Sequence, residues 1–329
     1  MQTDRSIDVL ATVSIDKAKE LIINSEKIRT RREKANRKRF ARLFKDPNAI
    51  AATIMLTDEV MRITSKLDAI RIFRNAVKKA SIKGFGLTNG LGLKFLNLIS
   101  YLAPKSVIKL VNIRVRSLSK DLILHAEHIP LAKHILKRKS AGLSLNINVL
   151  GEAVLGHHEA DERLVRILEM IDRSEVEYVS VKLSAVVAQM NTIDFGGNLE
   201  RVCEKLRVIY RRALEKNVFL NLDMEEYRDL ELTVAAFKRV LIEPEFENLN
   251  AGIVLQAYLP ESHVAFEELI TWAKNRRGKI KIRLVKGANL AMEHAEAELH
   301  GYVATPYTSK AAVDASYARL IDLALRHEN

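Results

Sequence analysis

From Gly142 onward, short apolar runs alternate with longer stretches whose apolar residues recur every three or four positions. Runs of the first kind predict strands, and stretches of the second kind predict amphipathic helices. Strands are expected at Leu143–Leu150, Tyr178–Leu183, Val218–Met224, Gly252–Tyr258 and Lys279–Val285. The helices between them fall over 159–173, 197–216, 225–241 and 261–276, with another beginning near Leu290. Successive strands begin roughly 30 to 40 residues apart, enough for one crossover helix each. Short apolar runs bounded by polar turns also predict a parallel sheet covered on both faces.

Residues 1–140 follow a different pattern, with helical spacing throughout. Ile7 through Phe44 forms one long charged stretch, and Asp46-Pro47-Asn48 breaks it, with Asp46 placed to cap the next helix. Segments 48–64, 66–81 and 104–138 continue the period, as in Val107, Leu110, Val111, Val115 and Leu118. Gly84, Gly86, Gly90 and Gly92 cluster between them. That cluster lacks the Lys-Ser/Thr ending of a phosphate cradle and no strand precedes it, so a flexible connection is expected.

Two regions follow: an all-α arm or accessory region over 1–140 and an α/β region over 141–329. The first strand ends in Leu150-Gly151-Glu152-Ala153, without the glycine-rich turn of doubly wound nucleotide-binding sheets. Polar residues instead stand near the carboxyl ends of all five strands, as in barrel enzymes. The expected class is therefore α/β, a partial (β/α)8 TIM-type barrel with about five βα units. A closed barrel takes about 250 residues, so the chain is expected to be the front part of a longer polypeptide.

Composition narrows the chemistry. The net charge of +12 is concentrated before residue 141, in Lys27–Arg39 and Lys133–Lys139. A basic run suits nucleic acid or an anionic lipid surface. No aromatic residue interleaves the first run, so no stacking platform is present and nucleic acid is not expected. A single cysteine, Cys203, excludes a disulfide framework and a thiolate metal cluster. The first residues lack a signal-peptide pattern, and no apolar run reaches the roughly 18 residues of a membrane span. A cytoplasmic location is expected.

The polar groups at the strand ends are Glu152, Lys182, Asp223, Gln256, Tyr258, Arg283 and Lys286. Arg283 carries most weight, because a guanidinium between Ile282 and Leu284 is costly to bury without an acceptor. Each of the others has a structural explanation: Lys182 could snorkel, Asp223 could cap a helix, and Gln256 could satisfy backbone. Parallel order places all of them on one rim. Lys182 and Arg283 suit an anionic ligand, or with Asp223 they form a charge-balanced network. His157-His158 lacks a third ligand at suitable spacing, so no metal is expected. His294 and His300 have no evident partner, Cys203 follows a core pattern, and no nucleophile triad is present.

Several segments together resemble the proline dehydrogenase domain of bifunctional proline utilization A flavoenzymes. They are Asn148–Gly156, Tyr178–Ala185, Leu222–Glu226, Val254–Tyr258, Arg283–Ala288 and Tyr307–Lys310 with Asp314–Tyr317. The preceding helices resemble that family's arm and linker. This resemblance implies an FAD-containing barrel that oxidises L-proline to Δ1-pyrroline-5-carboxylate and passes electrons to a membrane quinone. It implies catalytic roles for Lys182, Asp223 and Arg283: Lys182 at the proline carboxylate, Asp223 organising the charges, Arg283 against the flavin. Gln256, Arg283, Val285, Lys286, Gly287 and Ala288 would line the cofactor. It also implies peripheral contact with the inner membrane face, leaves oligomerisation open, and places an aldehyde dehydrogenase domain further downstream. The sequence departs from the family at Asn289, where many members carry an aromatic. The family's last strands and final helix, with their carboxylate-gripping arginines, have no counterpart in the 329 residues. The alternative is a catalytically incomplete barrel serving as a binding or assembly subunit. A further alternative makes the basic helical half a nucleic-acid or lipid-surface adaptor.

Overall fold

The computed structural model describes residues 3–80, 82–119, 128–148, 154, 156–190, 193–224 and 226–327. Two compact units divide the chain, Met1–His125 and Ala126–Asn329.

The first unit is helical: α1 Thr3–Ile28, α2 Arg31–Leu43, α3 Pro47–Ile54, α4 Val60–Arg62, α5 Lys66–Lys79, α6 Ile82–Phe85, α7 Leu87–Ile99 and α8 Pro104–Ser119. The long helix expected through Phe44 is broken before Arg31. There Thr30 accepts from the Glu33 amide at 3.2 Å, while the Glu33 carboxylate accepts from the Thr30 amide at 2.7 Å. This reciprocal pair is a capping box, and its Thr-x-x-Glu signature was present in the sequence. Asp46 caps α3 as expected, accepting from the amides of Asn48 and Ala49 at 3.0 and 3.2 Å. A π-helical turn, Met55–Glu59, joins α3 to α4.

The glycine-rich segment is not the flexible connection expected. Gly86, at φ +80°, opens α7, and Gly90 and Gly92 lie within that helix. Leu93, Leu96 and Ile99 of α7 pack against a core of Leu56, Phe73, Val107 and Val111. Full burial contributes roughly 1.5–3 kcal/mol per large side chain, and even the partial burial of these three together offsets about 1 kcal/mol lost at each glycine.

The second unit begins with α9 His128–Lys139, whose Leu131 and Ile135 bury into the same core as the sheet. Sequence spacing grouped those residues with the helical region. The unit continues β1 Ile147–Asn148, α10 His157–Ile171, β2 Tyr178–Lys182, α11 Phe195–Lys216, β3 Phe219–Asp223, α12 Leu230–Leu241, β4 Ala251–Gln256, α13 Ser262–Ala273, β5 Ile280–Val285, α14 Leu290–His300 and α15 Lys310–Leu325. The fold is thus α/β, with one parallel five-stranded sheet in the order β1-β2-β3-β4-β5. Residues 149–150 of the expected first strand, and Glu152, lie outside the described residues.

When each new strand joins the same edge and every crossover is right-handed, all crossover helices fall on one face. The strands confirm this by alternating. Val179, Val181, Leu220, Leu222, Ala251, Ile253 and Leu255 are buried in the apolar core with helical residues such as Val202, Leu206, Ile209 and Phe237. Their sequence neighbours Ser180, Lys182, Asn221, Asp223, Lys281 and Arg283 belong to the opposite face. The central strands are buried on both faces, as expected, but the two faces differ: one packs against the helices in the apolar core, and the other carries most of the polar side chains.

Candidate active site

Strand register stacks the polar face into layers. Nearest the strands' amino ends, Tyr178 pairs with Phe219 in a T-shaped contact at 4.9 Å. The Lys281 ammonium lies 5.1 and 4.9 Å from the centroids of these two rings. Above them, Asn148, Ser180, Asn221, Gly252 and Lys281 are register neighbours across all five strands. Above these, Lys182 pairs with Asp223 and Val254 with Arg283. Gln256 and Val285 form the last layer.

A hydrogen-bonded network ties the middle layers together. Asn146 Nδ2 donates to Ser180 Oγ at 2.8 Å, and Asn221 Nδ2 donates to the same oxygen at 3.4 Å. Asp223 is 8% exposed and accepts three bonds: Asn221 Nδ2 at 2.8 Å, Asn148 Nδ2 at 3.1 Å and Arg283 Nη2 at 2.6 Å. Arg283 thus reaches from β5 across β4 to β3. Gly252 makes the crowding tolerable, since a Cβ there would stand 2.4 Å from Asn221 Oδ1. Burial pushes the Tyr178 phenol up, with the Arg283 charge acting against it.

Arg283 is not saturated by this pairing. Its Nε is buried with no hydrogen-bond partner among the described residues, as is Asn221 Oδ1. An unmatched buried donor on a paired guanidinium is costly without a further acceptor. The donor set of this layer, two cations beside one carboxylate, therefore suits a ligand bearing negative charge or acceptor atoms.

The structure thus brings Lys182, Asp223 and Arg283 into one layer. Gln256 follows at the end of β4, where its amide nitrogen donates to the Met224 carbonyl at 2.8 Å. The Lys286 ammonium reaches instead to α15, donating to Asp314 Oδ1 at 2.5 Å and lying 5.6 Å from the Tyr317 ring centroid. With Lys310 it holds the Asp314 carboxyl below the usual carboxylate range. Gly287 has φ +102°, and a Cβ on it would lie 1.7 Å from Tyr258 Cδ1. Ala288 is exposed.

Tyr258 anchors this strand end. Its amide donates to the Lys286 carbonyl at 2.9 Å, its carbonyl accepts from the Tyr307 amide at 3.0 Å, and its hydroxyl donates to Glu293 at 3.2 Å. Burial, reinforced by Glu293, pushes the phenol far up. Sequence reasoning missed the roles of Asn148, Ser180, Asn221 and Glu293. For the first three, period-two spacing with Asn146, Lys182 and Asp223 was an available signal. Among the described residues no group of histidine, cysteine and carboxylate side chains could hold a metal.

Comparison with known proteins gives the same direction. The family model described as proline dehydrogenase matches residues 131–329. The chain is 28% identical over 193 residues to the bifunctional protein PutA of Salmonella typhimurium, covering 55% of this chain and 15% of that protein. It is 28% identical over 189 residues to the proline dehydrogenase of Deinococcus radiodurans, covering 55% and 52%. Among solved structures, proline utilization A from Corynebacterium freiburgense is 50% identical with a TM-score of 0.62, over 66% of this chain and 23% of that one. The Bdellovibrio bacteriovorus protein inactivated by N-propargylglycine is 26% identical with a TM-score of 0.69, over 86% and 29%. The chain spans about half the length of the Deinococcus relative and 15% of the Salmonella one.

Proposed function

Because the chain belongs to the proline dehydrogenase family, we propose that its sheet unit serves the FAD-dependent oxidation of L-proline to Δ1-pyrroline-5-carboxylate. In this reading the five βα units form an arc of a (β/α)8 barrel, and the polar face is the barrel interior. The observation that carries the proposal is the Lys182–Asp223–Arg283 layer, with one guanidinium donor still without a partner among the described residues.

The residues fit a flavin on that ground. Arg283 and Gln256 would hold it, together with the backbone of Val285–Ala288, since the Lys286 side chain is engaged at Asp314. When bound, FAD supplies the two-electron acceptor for oxidation of the proline C–N bond. The chain's own residues position and balance charge. Asp223 fixes Arg283, whose cation favours negative charge beside it. Lys182 offers the counter-charge for the substrate carboxylate. Electrons would leave to a membrane quinone, through peripheral contact at the cytoplasmic face of the inner membrane. In support of such contact, α2 is rich in arginine and lysine and has no buried residue. Among the described residues no helix is long and apolar enough to cross a membrane.

The test is anaerobic titration of the FAD-reconstituted chain with L-proline, followed by addition of a soluble quinone analogue. Bleaching of the flavin band by proline, and its return with the quinone, is the expected result. Retained flavin that proline does not bleach, both in this chain and in a chimaera carrying a relative's remaining barrel strands, would refute the oxidative reading. Failure to retain flavin would favour a binding or assembly subunit.

A further inference from the structure

The helical unit contains a cavity of about 650 Å³ that the proposed chemistry does not use. Small-molecule sites run from roughly 300 to 1,000 Å³. Phe40, Leu56, Leu93, Phe95 and Val111 supply apolar wall, and Leu56 and Val111 belong to the buried core of the unit.

Three of the polar wall groups, Thr53, Thr57 and Asn89, are already engaged. The Thr53 hydroxyl donates to the Ala49 carbonyl at 2.7 Å, and that of Thr57 donates to the Thr53 carbonyl at 2.9 Å. Asn89 donates to the Phe85 carbonyl at 3.3 Å and accepts from Arg114 at 3.0 Å. A mostly apolar wall with these polar groups satisfied favours an apolar occupant over ordered water.

Two irregularities face this space. Gly92 sits in the middle of α7, where glycine is a poor helix former. A Cβ there would meet nothing within 4 Å, so no packing contact demands glycine. The π-helical turn Met55–Glu59 contributes Leu56 and Thr57 to the wall. Such turns occur frequently at functional sites.

Charge decides the head group. Arg39 and Arg114 line the cavity, and no aspartate or glutamate does among the described residues. Arg114 meets the neutral amide of Asn89 rather than a carboxylate. An arginine fork matches a carboxylate in geometry as well as sign. We propose that this cavity binds a free single-chain amphiphile with a carboxylate head, its acyl chain among the apolar residues and its carboxylate at Arg114.

The test is calorimetric titration of the purified chain with sodium decanoate below its micellar range, beside 1-decanol and decyltrimethylammonium. One equivalent of decanoate should bind, decanol more weakly and the cation weakest. Gly92→Leu should abolish decanoate binding while preserving helix content, since leucine is the better helix former. Arg114→Gln, at an exposed position, should weaken decanoate about tenfold, as loss of one charge-assisted hydrogen bond implies, and leave decanol unchanged. Equal binding of all three probes, no saturable binding, or undiminished binding to Gly92→Leu would each overturn the proposal.

Discussion

Gly287 offers the sharpest test of how the strand end is built. The residue has φ +102°, and a methyl group there would lie 1.7 Å from Tyr258 Cδ1 and 2.2 Å from Cε1. Tyr258 is 0% exposed, so its ring has no free space into which to turn. Gly287→Ala therefore carries about 1–3 kcal/mol of backbone strain and a further 1–3 kcal/mol or so of overpacking. If the ring moves, its 3.2 Å hydrogen bond to Glu293 goes as well, adding about 1 kcal/mol. Against this, alanine lowers the entropy of the unfolded chain by roughly 0.4–1 kcal/mol. The net loss should be about 3 kcal/mol.

Urea unfolding followed by tryptophan emission measures it. Trp272 is the single tryptophan, and its ring lies 5.8 Å from that of Phe237 in the sheet unit's core. The signal therefore reports this unit and not the helical one. In a Tyr258→Ala background the methyl group no longer meets the ring, so Gly287→Ala should cost only the strain, about 1–3 kcal/mol before the gain in the unfolded chain. A loss below about 1 kcal/mol in the wild-type background, or equal losses in both, would refute the steric argument.

Three further outcomes follow from the same geometry. Asp223→Ala strips the acceptor from Arg283, Asn221 and Asn148; the same assay should show a loss of about 2–3 kcal/mol, below the value for a fully buried pair because the Arg283 side chain is 37% exposed. Arg276→Met removes the donor to the carbonyls of Leu241, Phe246, Leu249 and Gly278 at 2.6–3.0 Å; about 3–5 kcal/mol should be lost, and because the guanidinium lies 5.7 Å from the Trp272 ring centroid, native emission should shift too. Burial first, and Arg319 second, push His263 down while Glu267 opposes them, so the folded imidazole stays neutral where the unfolded one takes a proton; stability is present above about pH 6.5 and falls below it, and unfolding at pH 7.5 and 5.5 should show a smaller drop for His263→Gln than for wild type.

How far the sequence reveals this depends on the range of the interaction involved. Strand positions, parallel order and the rim holding Lys182, Asp223 and Arg283 were legible because they rest on local periodicity and on one rule of handedness. Arg283 was conspicuous because its neighbours are apolar. The polar face was harder to see. Phe219-Leu-Asn-Leu-Asp223 and Ile280-Lys-Ile-Arg-Leu284 read as short apolar-rich runs, which predict a covered sheet but not that one covered face is polar. The destination of Lys286 was illegible, since its partner Asp314 lies 28 residues away on another helix. Gly287 was expected, by resemblance, to line the cofactor, and its sequence neighbours offered no reason for a glycine. The atom that forbids a side chain there belongs to Tyr258, and strand pairing, not local sequence, brings the two together.

The charge count on the polar face bears on the proposed reading of a binding site against that of a purely structural network. A sheet that needed only stability could put apolar residues in these positions, since a buried ion pair is often no better than well-packed hydrocarbon. Here Ser180, Asn221, Asp223 and Gln256 are 2%, 0%, 8% and 4% exposed, yet all are polar. Had the purpose been a neutral network, Asp223 with Arg283 would have completed it. The same face also carries Lys182 and Lys281, register neighbours of Asp223 and Gly252. Across the four longer strands it therefore holds three cations and one anion. An excess of positive charge beside a mostly buried carboxylate is unfavourable by itself and becomes favourable when an anion is bound. That distribution of charge supports the proposed reading of this face as a site for an acidic ligand.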